Sequence, residues 1–251
     1  HSMVLTQDGG VWAAGWNKFG QIGDASSRGD VNNFKSTFVQ VMSSGAKAVA
    51  AGDAHGVVLK QDGSVWATGS NNHGQLGDGS RINSRMFVRV ISGGAIAVAA
   101  GGYHSMVLKQ DGSVWATGWN RYGQLGVGST AQKTAYVLVF SSGVKAIAAY
   151  NRNSMVLKQD GSVWATGKNY HGQLGDGTKT DREGYVRVFG KGAKAVATGG
   201  CHSMVLKQDG TVWGTGSNKH GQLGHGSRTS ENAYVKVEQI NNGAVHGGVL
   251  V

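Results

Sequence analysis

Proline is missing from all 251 residues, and cysteine occurs once, as Cys201. A single cysteine excludes an intramolecular disulfide framework and favours a reducing compartment, the cytoplasm or nucleus. Charged residues are scarce at 15%, which excludes a disordered polyelectrolyte. No apolar run is long enough to span a membrane as a helix. No Asn-x-Ser/Thr acceptor is present, and no signal peptide is visible. The chain opens on His1, inside a repeat and without an initiator Met, so a preceding targeting segment stays open. Acids are the minority, 14 against 24 Lys and Arg, which leaves a formal net charge of +10.

Glycine is abundant instead, with 43 residues, more than double its usual share of about 7%. Spread evenly and without proline, it fits many tight turns and neither collagen nor a linker. The turns recur. His1, His55, His104, Asn153 and His202 align as equivalent positions, the first interval being 54 residues and the others 49. A period near 50 points to a solenoid, propeller or array.

The pattern within one unit decides among these. In residues 95–140, "AIAVAAG" is a short apolar run of small residues suited to a crowded buried strand. "SMVLKQ" and "SVWATG" flank Asp111-Gly112, the strongest short-range hairpin signal, expected as a type I′ turn with φ > 0 at both central residues. "AYVLVF" follows a turn-rich stretch as a fourth strand. No segment carries a helical stripe. Four antiparallel strands per unit make a propeller blade, so the expectation is an all-β protein of five blades in one domain over residues 1–251.

"HSMVLKQDGSVWATGWNRYGQLGVGS" resembles the repeat of the regulator of chromosome condensation (RCC1) family through G-x-x-H-(S/T), the D-G hairpin, V-W-x-x-G and N-x-x-G-Q-L-G. The likeness recurs in all five units. The best-known members have seven blades. Where the family often places proline before the outer strand, this chain has Phe38, Phe87, Tyr136, Tyr185 and Tyr234. The C-terminal "NNGAVHGGVLV" partly matches the strand the first unit lacks. The expectation is a closed five-bladed ring in which it completes the first blade; a piece of a larger propeller is the alternative. The resemblance also implies guanine-nucleotide exchange on a small GTPase with chromatin docking. Exchange in the family goes with an inserted β-wedge, for which units this short leave no room.

The repeated residues read as structural. Trp12, Trp66, Trp115, Trp164 and Trp213 fill space between blades. His55, His104 and His202 sit on separate blades without recurrent acidic partners, so each reads as a buried imidazole bonded to neighbouring backbone, and no metal is expected. Asp8, Asp62, Asp111, Asp160 and Asp209 are turn residues, and five equivalent turns do not make an acid–base pair. Gly-Gln-Leu-Gly lacks the Lys-Ser/Thr of a phosphate loop. Cys201 and His202 point to opposite faces of a strand, and Arg28-Gly29-Asp30 is a loop charge pair. No catalytic residue and no cofactor is expected.

The differing residues read as functional. One variable loop lies between V-W-x-x-G and G-Q-L-G, where Trp16, Lys18, Trp119, Arg121, Tyr122 and Tyr170 surround a constant Asn. The other precedes the His position, where the fourth unit substitutes Tyr150, Arg152 and Asn153 for the usual Gly and His. A cation follows every G-Q-L-G: Arg28, Arg81, Lys133, Lys179 and Arg228. On equivalent blades these form a basic crown, with Lys60, Lys109, Lys158 and Lys207 as a second set near the hairpin tips. The function expected is a non-enzymatic scaffold that meets a macromolecule through one propeller face: a protein partner or acidic surface, with nucleic acid or a nucleosome as a further class. A lectin is a third reading, weakened because the aromatics differ between units.

Overall fold

The computed structural model describes residues 1–27 and 29–237. Arg28 of the expected crown and the closing strand expected after residue 240 lie outside the described residues. Nineteen strands and no helix are present among the described residues. The first sheet holds β1 (Ser2–Leu5), β2 (Val11–Trp16) and β3 (Phe34–Met42). The second holds β4 (Ala46–Ala51), β5 (His55–Lys60), β6 (Val65–Gly69) and β7 (Ser84–Ile91). The third holds β8 (Ala95–Ala100), β9 (His104–Lys109), β10 (Val114–Gly118) and β11 (Lys133–Phe140). The fourth holds β12 (Val144–Tyr150), β13 (Asn153–Lys158), β14 (Val163–Gly167) and β15 (Arg182–Phe189). The fifth holds β16 (Ala193–Thr198), β17 (His202–Lys207), β18 (Val212–Gly216) and β19 (Glu231–Lys236). Every sheet is an antiparallel meander in chain order, four-stranded except the first, which has three strands among the described residues.

Two compact units divide the chain. One comprises His1–Arg121 with Ala131–Ser142, and so the first three sheets; the other comprises Tyr122–Thr130 with the chain from Gly143 on. In the first unit Val57, Leu59, Val65, Ala67 and Leu76 share a buried cluster with Val107 of the next sheet. In the second, Met155, Leu157, Val163 and Leu174 pack with Val205.

The hairpin expectation holds for position and fails for turn type. Gly63, Gly112, Gly161 and Gly210 have φ of 77 to 83°, whereas the aspartates before them are not left-handed. The Gly63 N–H donates to the Lys60 carbonyl, and the Lys60 N–H to the Ser64 carbonyl. This is a three-residue loop with glycine in the left-handed position, not a type I′ pair. Asp62 accepts the Ser64 N–H and hydroxyl, bonds that hold its carboxyl below the usual range.

Inter-sheet packing explains the repeated G-Q-L-G. Its leucine is buried in four units, as Ile22 is in the first. Its second glycine lies flat against the outer-strand aromatic of the next sheet. A Cβ on Gly23 would stand 2.4 Å from Phe87, on Gly77 2.4 Å from Tyr136, on Gly126 2.3 Å from Tyr185 and on Gly175 2.4 Å from Tyr234. A threonine of the next sheet closes the joint: Thr68, Thr117, Thr166 and Thr215 donate to the carbonyls of Gly20, Gly74, Gly123 and Gly172 at 2.8 to 2.9 Å. The tyrosine hydroxyls face Ser105, Ser154 and Ser203. Where Phe87 lacks the hydroxyl, the serine position is Gly56.

Gly126 and Gly128 isolate this contact. Both are left-handed, but a Cβ on Gly128 meets nothing within 4 Å. G128A is expected to cost about 1 kcal/mol, the backbone penalty alone. G126A adds overpacking against Tyr185 and should cost about 2 kcal/mol more, read from urea midpoints of the two variants. Equal losses would refute the role given to the ring.

Candidate functional site

The loop between V-W-x-x-G and G-Q-L-G is fixed from inside. Asn17, Asn71, Asn120, Asn169 and Asn218 are buried. The Oδ1 of Asn17, Asn71, Asn169 and Asn218 accepts the N–H five residues on, at 2.8 to 3.1 Å. The glutamine of G-Q-L-G folds back so that its Oε1 accepts the N–H of Phe19, His73, Tyr122, His171 or His220. The sequence marks this Asn as a turn residue; it is a buried hub, and the side chains around it are freed for other uses.

The two variable loops meet across sheet borders. In the first unit His73 lies 5.5 Å from Tyr103 and 5.6 Å from Trp119, and Tyr103 and Trp119 are edge-to-face at 5.8 Å. In the second unit the same three positions of the repeat hold Tyr122, Arg152 and Lys168. The Arg152 guanidinium lies 5.2 Å and the Lys168 ammonium 5.3 Å from the Tyr122 ring centre, and Arg152 also donates to the Tyr122 hydroxyl at 3.2 Å. The partners within each sheet are tied by backbone: Trp119 N–H to Tyr103 O, and Lys168 N–H to Arg152 O. One joint is therefore aromatic and the next cationic.

The candidate residues thus divide. Trp16, 39% exposed, donates from Nε1 to the Val31 carbonyl and stands edge-on to Phe19, over which Lys18 lies at 5.3 Å. Trp119 belongs to the aromatic trio, and Tyr122 with Arg152 to the cationic one. Arg121 is exposed. Tyr150 and Tyr170 are 52% and 70% exposed, Tyr170 standing edge-on to His171 at 5.0 Å. Of the crown, Arg81, Lys179 and Arg228 are exposed and Lys133 is half-buried. Phe19, His73, Tyr103 and Lys168 complete the clusters and were not singled out by the sequence. Comparing each loop with the next repeat, one blade on, is the signal that finds them.

The departure in the fourth repeat is one coupled exchange. A Cβ on Gly52, Gly101 or Gly199 would lie 2.0 to 2.6 Å from the histidine ring three residues on. Histidine therefore demands glycine there. In the fourth repeat the histidine is the smaller Asn153, and Tyr150 occupies the glycine position. His55 reaches the Ser105 hydroxyl of the next sheet from Nε2 at 2.9 Å. Asn153, too short for Ser203, donates to the Thr198 hydroxyl, which lies 3.3 Å from the Ser203 oxygen. Thr198 stands where the equivalent strands have Ala51, Ala100 and Ala149. The exchange places an exposed aromatic on the loop surface without leaving the Asn153 amide donor unsatisfied.

Burial pushes His55 down to about 3 and His104 down to about 4, the neighbouring His104 adding repulsion for His55. The expected partner of these imidazoles was backbone; His55 bonds the Ser105 hydroxyl. His171 also lies below its usual value, first through partial burial and then through Lys168, Lys219 and Lys179. The hairpin lysines serve the fold: Lys60, Lys109 and Lys158 lie 4.6 to 4.9 Å over Trp66, Trp115 and Trp164 of their own sheets. Those tryptophans are half-buried, and Trp213 packs against Phe189 of the preceding sheet at 5.7 Å. Among the described residues no three His, Cys, Asp or Glu side chains gather as metal ligands, and no helix is long and apolar enough to cross a membrane.

Two outcomes follow for this region. N153H with Tyr150 retained should cost about 1–3 kcal/mol through overlap at Tyr150, and N153H/Y150G should recover most of it in the same denaturation assay. The buried neutral histidines make stability fall with acid. Below about pH 6.5 the unfolded chain takes up protons that folded His55 and His104 refuse, so stability drops as pH falls, by up to about 1.4 kcal/mol per pH unit for each. Urea midpoints at pH 7.5, 6 and 5 read the slope, which should shrink by one histidine's share in H55N.

Residues 1–249 match the model of the RCC1-like domain. A stretch of 78 residues is 42% identical to the E3 ubiquitin-protein ligase MYCBP2 of Danio rerio, covering 31% of this chain and 2% of that protein. The structure of human WBSCR16 superposes with a TM-score of 0.82 at 23% identity, over 94% of this chain and 64% of that one. Prp20p of Saccharomyces cerevisiae gives 0.77 at 19%, over 95% and 61%. The chain thus spans less than two thirds of each of these three, and the two structures, below 25% identity, show the fold. The five sheets are blades of an RCC1-like β-propeller, and the chain belongs to the RCC1-like domain family.

Proposed function

We propose that this chain is a non-enzymatic scaffold that binds a macromolecular partner through the loop surface on which its repeats differ. The observation that carries this reading is the meeting of the side chains of the two variable loops at two blade borders. The shared residues are consumed by the fold: the loop Asn is buried in all five units, the Gln in four, and the Leu in four with Ile22 in the first. The differing residues collect side by side: an aromatic trio at His73, Tyr103 and Trp119, and a cationic trio at Tyr122, Arg152 and Lys168. Tyr, Trp and Arg are the residue types that dominate binding hot spots. A net charge of +10 favours an acidic surface. Prp20p was studied with its binding to Gsp1p and histones; the likeness to it is one of fold, and the partner here is read from the loops.

The reading is tested with the immobilised chain as bait, quantified by mass spectrometry at about 50 and about 200 mM salt. Specific partners should fall several-fold at the higher salt. They should be lost by W16A/Y122A/R152A and retained by K47A/K194A, which removes exposed charges from β4 and β16. Equal capture by both variants would overturn the assignment to the loops. Nucleotide release from a small GTPase, or sugar-dependent capture, would overturn the scaffold class.

A further inference from the structure

Cations and exposed aromatics gather on the loops of the second unit. The buried Asn169 amide donates to the carbonyls of Thr178 and Thr180 at 3.2 and 3.1 Å. This pins Lys179, between those threonines, to the loop that carries Lys168 and Tyr170 on either side of Asn169. Lys168 and Arg152 both lie over Tyr122. Lys219 completes the set: it is exposed beside the buried Asn218, in the equivalent loop of the next blade. Tyr170 is the most exposed aromatic of the unit, and Tyr150 follows it. The Tyr150 ring borders Gly200 of the next blade, where an added Cβ would be 3.6 Å from it. The acids on this loop are already engaged: Asp176 with Arg182 at 2.6 Å, and Asp181 with the Asn169 N–H at 2.7 Å.

Such a surface wants a ligand of closely spaced negative charge. Lysine is depleted from the cores of protein interfaces but serves phosphate as a point charge. Exposed tyrosines offer ring faces to any base, and a base offers its own face only when it is not stacked within a duplex. Resting on the scaffold reading above, we propose that the loop surface of the second unit binds single-stranded nucleic acid, with Lys168, Lys179 and Lys219 on phosphates and Tyr150 and Tyr170 stacked on bases. Tyr122 is the pedestal that holds Arg152 and Lys168 in place. The exchange of His for Asn153 then has a use, because it makes room for the Tyr150 platform.

The test is fluorescence anisotropy of the whole chain with labelled oligothymidine and oligouridine of about 20 nucleotides at several salt concentrations. Binding should weaken steeply with salt. K168A/K179A/K219A should lower the magnitude of the log–log salt slope by about 2, three phosphate contacts at about 0.7 each. Y150A/Y170A should leave the slope unchanged and lower affinity about 5-fold or more. Lys179, Lys219 and Tyr170 are exposed on loops, Tyr150 is exposed at the end of β12 and Lys168 is half-buried, so melting temperatures within a few degrees of the parent should accompany both variants. No binding of either oligonucleotide, an unaffected Y150A/Y170A, or equal affinity for duplex DNA would each overturn the proposal. Polyglutamate binding that depends on the same five residues, with no oligonucleotide binding, would assign the surface to an acidic protein. Loop-dependent protein capture without oligonucleotide binding removes this inference alone; loss of both removes the scaffold reading as well.

Discussion

A glycine pressed against an aromatic ring across four blade borders is the contact on which the rest of the described residues depend. The second glycine of G-Q-L-G has no side chain to hold the Phe87, Tyr136, Tyr185 or Tyr234 ring away, and its left-handed backbone turns the loop onto the next sheet. With that approach made, the threonine hydroxyls reach the preceding loop carbonyls, and Ser105, Ser154 and Ser203 reach the backbone carbonyls of Gln75, Gln124 and Gln173 at 2.7 Å. Each blade is thereby finished by its neighbour. A single blade would expose its aromatic and leave these polar groups in search of partners, which is why such units occur in arrays.

The same dependence explains which replacements come together. Tyrosine faces serine at three borders, and the border lacking the hydroxyl on one side lacks it on the other, as Phe87 and Gly56. Histidine accompanies glycine in three blades, and in the fourth Asn153 accompanies Tyr150, with Thr198 across the border in the fifth. A buried polar group stripped of its partner costs more than the bond was worth, so His55 comes with the Ser105 hydroxyl and Asn153 with that of Thr198. Variation that looks like drift in one repeat is ordered when read against the adjacent one.

The sequence made the strands legible because each carries its own local signal. "SMVLKQ" and "SVWATG" around Asp111-Gly112 are alternating β-prone runs joined by turn residues, and the structure pairs Val114 with Leu108 and Gly118 with His104 in register. Turn type was not legible, because Asp-Gly suits both the two-residue and the three-residue loop and the choice rests on the bond from Lys109 to Ser113. The candidate site was legible in part. Arg152 and Tyr122 stood out by composition, but their contact, and the place of Lys168 beside them, joins residues of neighbouring repeats. No within-repeat pattern encodes that pairing.

Why the loops can vary so widely without loss of fold follows from how they are held. Ser70, Trp119, Lys168 and Ser217 are fastened through their N–H to the carbonyls of Ala54, Tyr103, Arg152 and Cys201. Those bonds belong to the backbone and are indifferent to the side chain. The constant Asn and Gln satisfy much of the loop from within; of these eight positions Ala54, Ser70 and Ser217 are buried and small, and the other five are half-buried. Where the border is occupied by small residues it closes over them, and where it is occupied by aromatic or cationic ones they pack on one another, as at His73, Tyr103 and Trp119 or at Tyr122, Arg152 and Lys168. The repeated framework keeps the positions fixed in space, and the chemistry displayed at them is free to follow a partner.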